Sequence, residues 1–262
     1  MIGFIGLGNM ATAIIGGILK KELVLSNEII GSAKTQETMK KCREKYGIEV
    51  ADNATVAARA DILFLAVKPV FFPEVIAQIR DVVREDTVIV SIAAGKTLAY
   101  IEGLFGKKCK LVRCMPNTPA LVLEGCTAVT YGELVTAEEK ERVGKVLASF
   151  GTVSEVPERL MDVVVGVSGS SPAYVFMFIE AMADEAVCAG MPRKQAYEMA
   201  AQSVLGSAKL MLETGRHPGE LKDMVCSPGG TTIAAVKVLE EMGMRAAVMD
   251  AMEACIEKSK NL

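Results

Sequence analysis

Two short glycine-rich stretches hold the residues whose types and spacing could do chemistry. The first, "CSPGGTT", runs from Cys226 to Thr232. Ser227 suits a helix N-cap and Pro228 a first helical position, so a helix is expected to begin there. Gly229 and Gly230 then fall where each glycine costs a helix interior roughly 1 kcal/mol relative to alanine. Bare backbone at the positive end of a helix leaves N–H groups open to a small anion, with the Thr231 and Thr232 hydroxyls beside it. A tight helix crossing asks for small residues equally, and the residues alone leave both readings open. The second stretch, "IGFIGLGNMATAI", sets Gly6, Gly8 and Ala11 in a G-x-G-x-x-A pattern between an apolar run and a helix-like segment. In that context the first glycine makes a tight turn and the second admits a pyrophosphate at the helix N-terminus. The small third residue lets helix pack on strand. Leu7, Asn9 and Met10 belong to the same expected cofactor turn.

Further strand ends extend that site. A site for NAD wants an acid about 20 residues past the glycines to hold the ribose 2′-OH. Here the second strand ends "GSAKT", and Ser32 and Lys34 are placed to receive a 2′-phosphate instead, one by hydrogen bond and one by charge. NADPH is therefore the expected cofactor, with NADH possible. Lys34 also reads as an ordinary lysine at a strand exit. "AVKP" and "SIAAG" close two more strands and bring Ala66, Val67, Lys68, Pro69, Ala93 and Ala94 to the ligand side, although Lys68 reads nearly as well as a helix-entry lysine. His217 is the only histidine, so a Ser-His-Asp triad would have to run through it. Seven cysteines without a CxxC pair fit reduced buried thiols better than disulfides or a metal site, and no metal is expected.

The elements that must position these residues fall into two patterns. Up to residue 157 short β-rich runs at 2–5, 28–32, 48–50, 61–67, 87–93 and 110–116 alternate with helical stretches, the mark of a parallel sheet covered on both faces. After "CTAVTY", the segment "TAEEKERVGKVLASFG" carries acids early, bases later and a closing Gly151, and reads as one more helix before a final strand "TVSEVP". From 158 onward the pattern is helical only, with helices expected over 171–190, 192–215, 217–225, 227–243 and 244–260. The fold class is α/β: a doubly wound parallel sheet of Rossmann type over 1–157, then an all-helical domain over 158–262. Helices such as the one holding "YVFMFI" are apolar on more than one face. So small a helical unit covers them poorly alone, and an intersubunit core is expected.

Composition excludes several classes. The chain of 262 residues is 51% hydrophobic, enough for a substantial core, and its formal charge of −3 leaves no basic stripe for nucleic acid. No apolar run approaches the roughly 20 residues that cross a bilayer, and the N-terminus lacks the basic region of a signal peptide, so the cytoplasm is the expected location, away from any membrane. A nicotinamide site in one half and an anion nest in the other describe a reductase of a small carboxylated substrate.

The runs "FIGLGNMA", "FLAVKP", "SIAAGKTL", "RCMPNTPALVLEG", "SGSSPAYVF" and "HPGELKDMVCSPGGTTIAAVKVLE" resemble pyrroline-5-carboxylate reductase, in order and over nearly the whole chain. The resemblance implies NAD(P)H-dependent reduction of 1-pyrroline-5-carboxylate to L-proline, the closing step of proline biosynthesis. It implies a homodimer interlocked through the helical domain, often built into larger rings such as a decamer, with an active site shared between subunits. It also implies that Ser227, Gly229, Gly230 and Thr231, with Val225 beside them, bind the substrate carboxylate. Thr232 would hydrogen-bond the ring nitrogen as the catalytic contact, and Asn53 would lie near the adenosine part of the cofactor. One departure is Ser171, which stands where the family carries glycine; a positive φ or a close approach at that point would shift the loop. Two other readings are a β-hydroxyacid dehydrogenase and a non-catalytic NADP-binding regulator. The first uses a lysine on the long helix after the sheet domain, and "SPAYVFMFIEAMADEAVCAG" has none.

Overall fold

The structure is a computed structural model and describes residues 1–261. Its strands are β1 (Ile2–Ile5), β2 (Ile29–Ser32), β3 (Glu49–Val50), β4 (Ile62–Leu65), β5 (Val88–Ser91), β6 (Lys110–Met115), β7 (Gly125–Tyr131) and β8 (Gly151–Glu155). They form one sheet in the order β3-β2-β1-β4-β5-β6-β7-β8. The first six are parallel, in the strand order of a dinucleotide-binding sheet. The sheet is parallel as expected up to that point; β7 then runs antiparallel to β6, and β8 pairs with β7 in parallel. The cause is the link from β6 to β7, Pro116 to Glu124, which is shorter than the dozen or so residues a parallel crossover needs.

The helices of this part are α1 (Asn9–Lys20), α2 (Gln36–Tyr46), α3 (Asn53–Arg59), α4 (Phe72–Ile79), α5 (Leu98–Phe105) and α6 (Ala137–Ala148). Alternation along each strand sends side chains to two separate cores. Phe4, Phe64, Val90 and Val112 meet Ile14, Ile15 and Ile18 of α1 and Leu147 of α6. Phe4 and Phe64 stack with ring centroids 4.9 Å apart. Ile5, Leu63, Leu65 and Ile89 face the other way, onto Val56 of α3, Ile76 and Ile79 of α4 and Phe105 of α5. Each fully buried side chain of this size contributes about 1.5–3 kcal/mol. α6 starts as its sequence suggests: Thr136 accepts from the Glu139 N–H, and the Glu139 carboxylate accepts from the Thr136 N–H. It closes earlier than expected, at Ala148 with Ser149 as its cap, and Gly151 opens β8 instead of ending the helix.

The remaining helices are α7 (Met161–Val164), α8 (Ser171–Cys188), α9 (Arg193–Thr214), α10 (Pro218–Val225), α11 (Thr231–Glu241) and α12 (Met244–Lys260), with a π turn over Val165–Gly169. Contacts divide the chain into two compact units, residues 1–170 together with the chain from Cys255 on, and residues 171–254. That break lies beyond the expected one at 157/158. Buried Met161 packs with Met115 and Ala128, Ser259 donates to Asp162 at 2.7 Å, and Cys255 donates to Ser170 at 3.1 Å. These contacts tie α7 and the end of α12 to the sheet unit. The helical run Glu158–Cys188 is long and apolar enough to cross a membrane by length and composition, with a mean hydropathy of 1.4 over an 18-residue window. The expectation that no such run exists is corrected on that point. All seven cysteines are free, but only Cys42 and Cys114 are buried, fewer than expected. Burial pushes the Cys114 thiol up, away from the reactive thiolate. No group of three or more His, Cys, Asp or Glu that could hold a metal occurs among the described residues.

In the helical unit only Ala183, Ala196 and Ala200 are buried, while Phe176, Met177 and Leu212 stand 64%, 69% and 83% exposed. Apolar area on that scale marks an association surface. Light scattering at micromolar concentration is expected to give at least a dimer, and Phe176→Glu to shift it toward monomer; a monomeric parent chain would overturn this reading of the helices.

Candidate active site

The turn from β1 to α1 is built as its glycines suggest. Gly6 has φ +96° and its N–H donates to the Ser32 carbonyl at 2.9 Å. A Cβ there would lie 2.5 Å from the Ala66 carbonyl oxygen, so only glycine fits between β1 and the end of β4. Gly8 is the N-cap of α1, and no side chain caps that helix; a Cβ on Gly8 would meet nothing within 4 Å. The N–H groups of Asn9, Met10 and Ala11 precede the first helical bond, from Thr12 N–H to the Gly8 carbonyl at 2.9 Å, and remain available to an anion.

A cavity of about 640 Å³ opens beside this turn. Gly6, Leu7, Gly8, Asn9, Lys34, Asn53, Val67 and Lys68, all expected from the sequence, line it. The other expected cofactor residues lie off its wall. Ala11 and Ala93 are buried, while Met10, Ala66 and Ala94 pack against the core clusters. Pro69 starts a short 3-10 turn, Pro69–Phe71. Ser32 is 2% exposed, and its hydroxyl donates to Asn53 Oδ1 at 2.6 Å. The hydroxyl thereby supports the Asn53 side chain.

Several wall residues escape sequence patterning: Thr35 and Thr38 from the start of α2, then Phe71, Glu74, Val75 and Gln78 around α4. Their spacing of three, four and seven is one helical face, a signal that exists in the sequence but does not say toward what it points. Lys34 Nζ sits 5.5 Å above the Phe71 ring. Asn53 opens α3, where the Asp52 carboxylate caps the helix by accepting from the Thr55 N–H at 2.7 Å; that backbone hydrogen bond holds the Asp52 carboxyl below its usual range. The residues present fit a dinucleotide: an uncapped helix N-terminus, open space at Gly8 for a pyrophosphate, and Lys34 with two threonine hydroxyls at the end of β2, where no acid stands.

In the helical unit, the Ser227–Thr232 stretch departs from the expected helix start. Residues 227–230 form a turn in which the Gly230 N–H donates to the Ser227 carbonyl at 3.0 Å, with proline second and Gly229 third at φ +69°. That is a type II turn, which demands a positive φ at its third residue. Ser227 is therefore the first residue of the turn, not an N-cap. Gly230 is the N-cap of α11, which begins at Thr231 without a side-chain cap. A Cβ on Gly230 would lie 2.7 Å from Ser227 Oγ, whereas one on Gly229 would meet nothing within 4 Å. The N–H groups of Thr231, Thr232 and Ile233 precede the first helical bond, from Ala234 N–H to Gly230 at 3.4 Å. Thr231 is exposed and Thr232 half-buried; Val225 ends α10 with its side chain 58% exposed. His217 caps α10, Nδ1 accepting from the Gly219 N–H at 3.1 Å. Ser171 opens α8, and the positive φ values outside glycine among the described residues fall only at Glu22 and Leu123. Serine at 171 thus demands no left-handed backbone.

A mostly parallel sheet in this order, with an open glycine turn and a dinucleotide-sized cavity at the ends of β1, β2 and β4, defines a dinucleotide-binding protein. Residues 1–95 match the family described as NADP oxidoreductase coenzyme F420-dependent, and residues 158–262 match pyrroline-5-carboxylate reductase dimerisation. The chain belongs to the pyrroline-5-carboxylate reductase family. It is 53% identical to the pyrroline-5-carboxylate reductase of Escherichia coli (strain K12), over 100% of this chain and 97% of that one. It superposes with a TM-score of 0.91 on the Streptococcus pyogenes 1-pyrroline-5-carboxylate reductase, at 36% identity over 100% of this chain and 98% of the other. The Plasmodium falciparum pyrroline carboxylate reductase with NADP bound gives 0.91 at 30% identity, over 99% and 97% of the two chains.

Proposed function

We infer that this protein reduces 1-pyrroline-5-carboxylate to L-proline with NADPH, the last step of proline biosynthesis. The observation that carries the inference is the type II turn at Ser227–Gly230, which opens the first three N–H groups of α11, at Thr231, Thr232 and Ile233, on a chain that also holds a dinucleotide turn. Residues 1–157 bind the cofactor, and 158–262 bind the substrate and dimerise, as a homodimer or a larger ring such as a decamer. The enzyme works in the cytoplasm.

When bound, the reduced nicotinamide supplies a hydride to the imine carbon. The chain's own task is to hold the ring. The Ser227–Thr231 backbone takes the carboxylate, with Val225 beside it, and the Thr232 hydroxyl accepts a hydrogen bond from the protonated ring nitrogen. The turn contains no acid, so the proton comes with the substrate or from water. Gly8 and the first N–H groups of α1 hold the pyrophosphate. Lys34, Thr35 and Thr38 take the 2′-phosphate at the start of α2. α8 has no lysine of the kind a β-hydroxyacid dehydrogenase employs.

The test follows the oxidation of NADPH and of NADH by pyrroline-5-carboxylate, with proline measured as product. Turnover with a higher kcat/KM for NADPH is expected. Lys34→Ala should raise KM for NADPH about five- to tenfold and that for NADH less than about twofold, the loss of one exposed charge-assisted contact. Absence of proline would leave a non-catalytic NADP-binding regulator, and an NADH preference would remove the phosphate assignment at Lys34.

A further inference from the structure

The Asn53 side chain is held from two directions. Ser32 Oγ, from the last residue of β2, donates to its Oδ1 at 2.6 Å, and its Nδ2 donates to Gln78 Oε1, on α4, at 2.6 Å. Ser32 is 2% exposed, and the Phe4 carbonyl, also within its reach, lies farther off at 3.5 Å. The buried serine therefore anchors one end of Asn53. The other end reaches across the wall of the cavity to a residue that is itself exposed. An asparagine amide has two N–H groups and two carbonyl lone pairs. One N–H goes to Gln78 and one lone pair to Ser32, so one of each remains for a ligand, at a fixed place.

Gln78 lies seven residues after Phe71, on the face of α4 that lines the same cavity, and Phe71 sits under the Lys34 ammonium. One helical face thus backs two of the polar groups at the adenosine end of the site.

We propose that Gln78 is a positioning residue: through its hydrogen bond it fixes the Asn53 side chain so that the free N–H of that amide meets the adenosine end of the dinucleotide without first having to be ordered. This rests on the placement of the cofactor in the cavity described above. Without Gln78 the Asn53 side chain keeps the serine but loses its second tether, and ordering it is charged to ligand binding. The assignment concerns affinity for one half of the cofactor and leaves the chemistry of the nicotinamide untouched.

A double-mutant cycle on the full-length oligomer, read by calorimetric titration with 2′,5′-ADP, tests it. Gln78→Leu, close in size and without an acceptor, should weaken binding about three- to tenfold, the worth of one hydrogen bond that competes with water. Asn53→Ala should weaken it at least as much. In the Asn53→Ala background Gln78→Leu should add less than about a twofold further loss, because its effect is transmitted through the missing amide. Steady-state kinetics of Gln78→Leu should show a raised KM for NADPH with kcat unchanged. Equal losses from Gln78→Leu in both backgrounds would overturn the proposal, since Gln78 would then act by itself or by general destabilisation. An Asn53→Ala protein that binds 2′,5′-ADP normally would overturn the cofactor placement along with it. Weakening by Asn53→Ala but not by Gln78→Leu would overturn the proposal alone.

Discussion

Gly8→Val is expected to weaken NADP⁺ binding roughly 100-fold while lowering the melting temperature by only about 2–4 °C, the cost of a poorer N-cap. The two halves of that expectation come from one measurement of space. Gly8 has φ −79° and ψ −172°, extended backbone that valine adopts without strain, and a Cβ there would touch nothing within 4 Å. The folded chain therefore loses no contact. What a side chain fills is the approach to the N–H groups of Asn9, Met10 and Ala11. Keeping a phosphate off two or so charge-assisted bonds costs about 3 kcal/mol, or two powers of ten in affinity. Gly6→Ala is the contrast: its Cβ would stand 2.5 Å from the Ala66 carbonyl at φ +96°, so that variant should lose melting temperature first. Calorimetric titration of NADP⁺ and thermal unfolding separate the two. Tight binding by Gly8→Val would mean that the pyrophosphate lies elsewhere.

The contrast between the two glycine stretches shows what a sequence discloses. "GLGNMA" can be read because its neighbours leave one interpretation: a strand of continuous apolar residues before it and an apolar helical face after it admit only a strand-to-helix turn. "SPGGTT" cannot be read so far. Ser-Pro satisfies both a helix start and the first half of a type II turn, and the difference is the sign of φ at Gly229, which no residue type reports. Strand direction has the same character. Nothing in "CTAVTY" says antiparallel; the short link before it does, once Thr118–Val122 is known to be a 3-10 turn and not a crossover helix.

The cavity wall divides similarly. Strand ends such as Lys34 and Val67 are legible because a parallel sheet presents its ligands there. Gln78 is not, since its role depends on α4 turning one face to Asn53, a residue 25 positions away. The burial of Ser32 is not legible either, because a hydroxyl at a strand end serves ligand and neighbour equally well.

Thr232→Ala should lower kcat with pyrroline-5-carboxylate roughly five- to 150-fold while changing NADPH affinity less than about twofold, the range expected for loss of one hydrogen bond worth about 1–3 kcal/mol. α11 begins at Thr231, so Thr232 is its second residue, half-buried, in the turn whose first N–H groups are free. In pyrroline-5-carboxylate the ring nitrogen is bonded directly to the carbon that bears the carboxylate, so a carboxylate seated on those groups would bring that nitrogen toward the Thr232 hydroxyl. The nitrogen loses its positive charge as hydride arrives at the adjacent carbon. A hydrogen bond to it therefore differs in strength between ground and transition states, and only such a difference changes kcat. Thr231→Ala is the control. Thr231 is exposed, and its backbone N–H, which alanine retains, is the group assigned to the carboxylate, so the expected loss is less than about threefold. Equal losses in both variants, or normal turnover in Thr232→Ala, would mean that the threonine serves only to start α11 and that the ring nitrogen is oriented by another group.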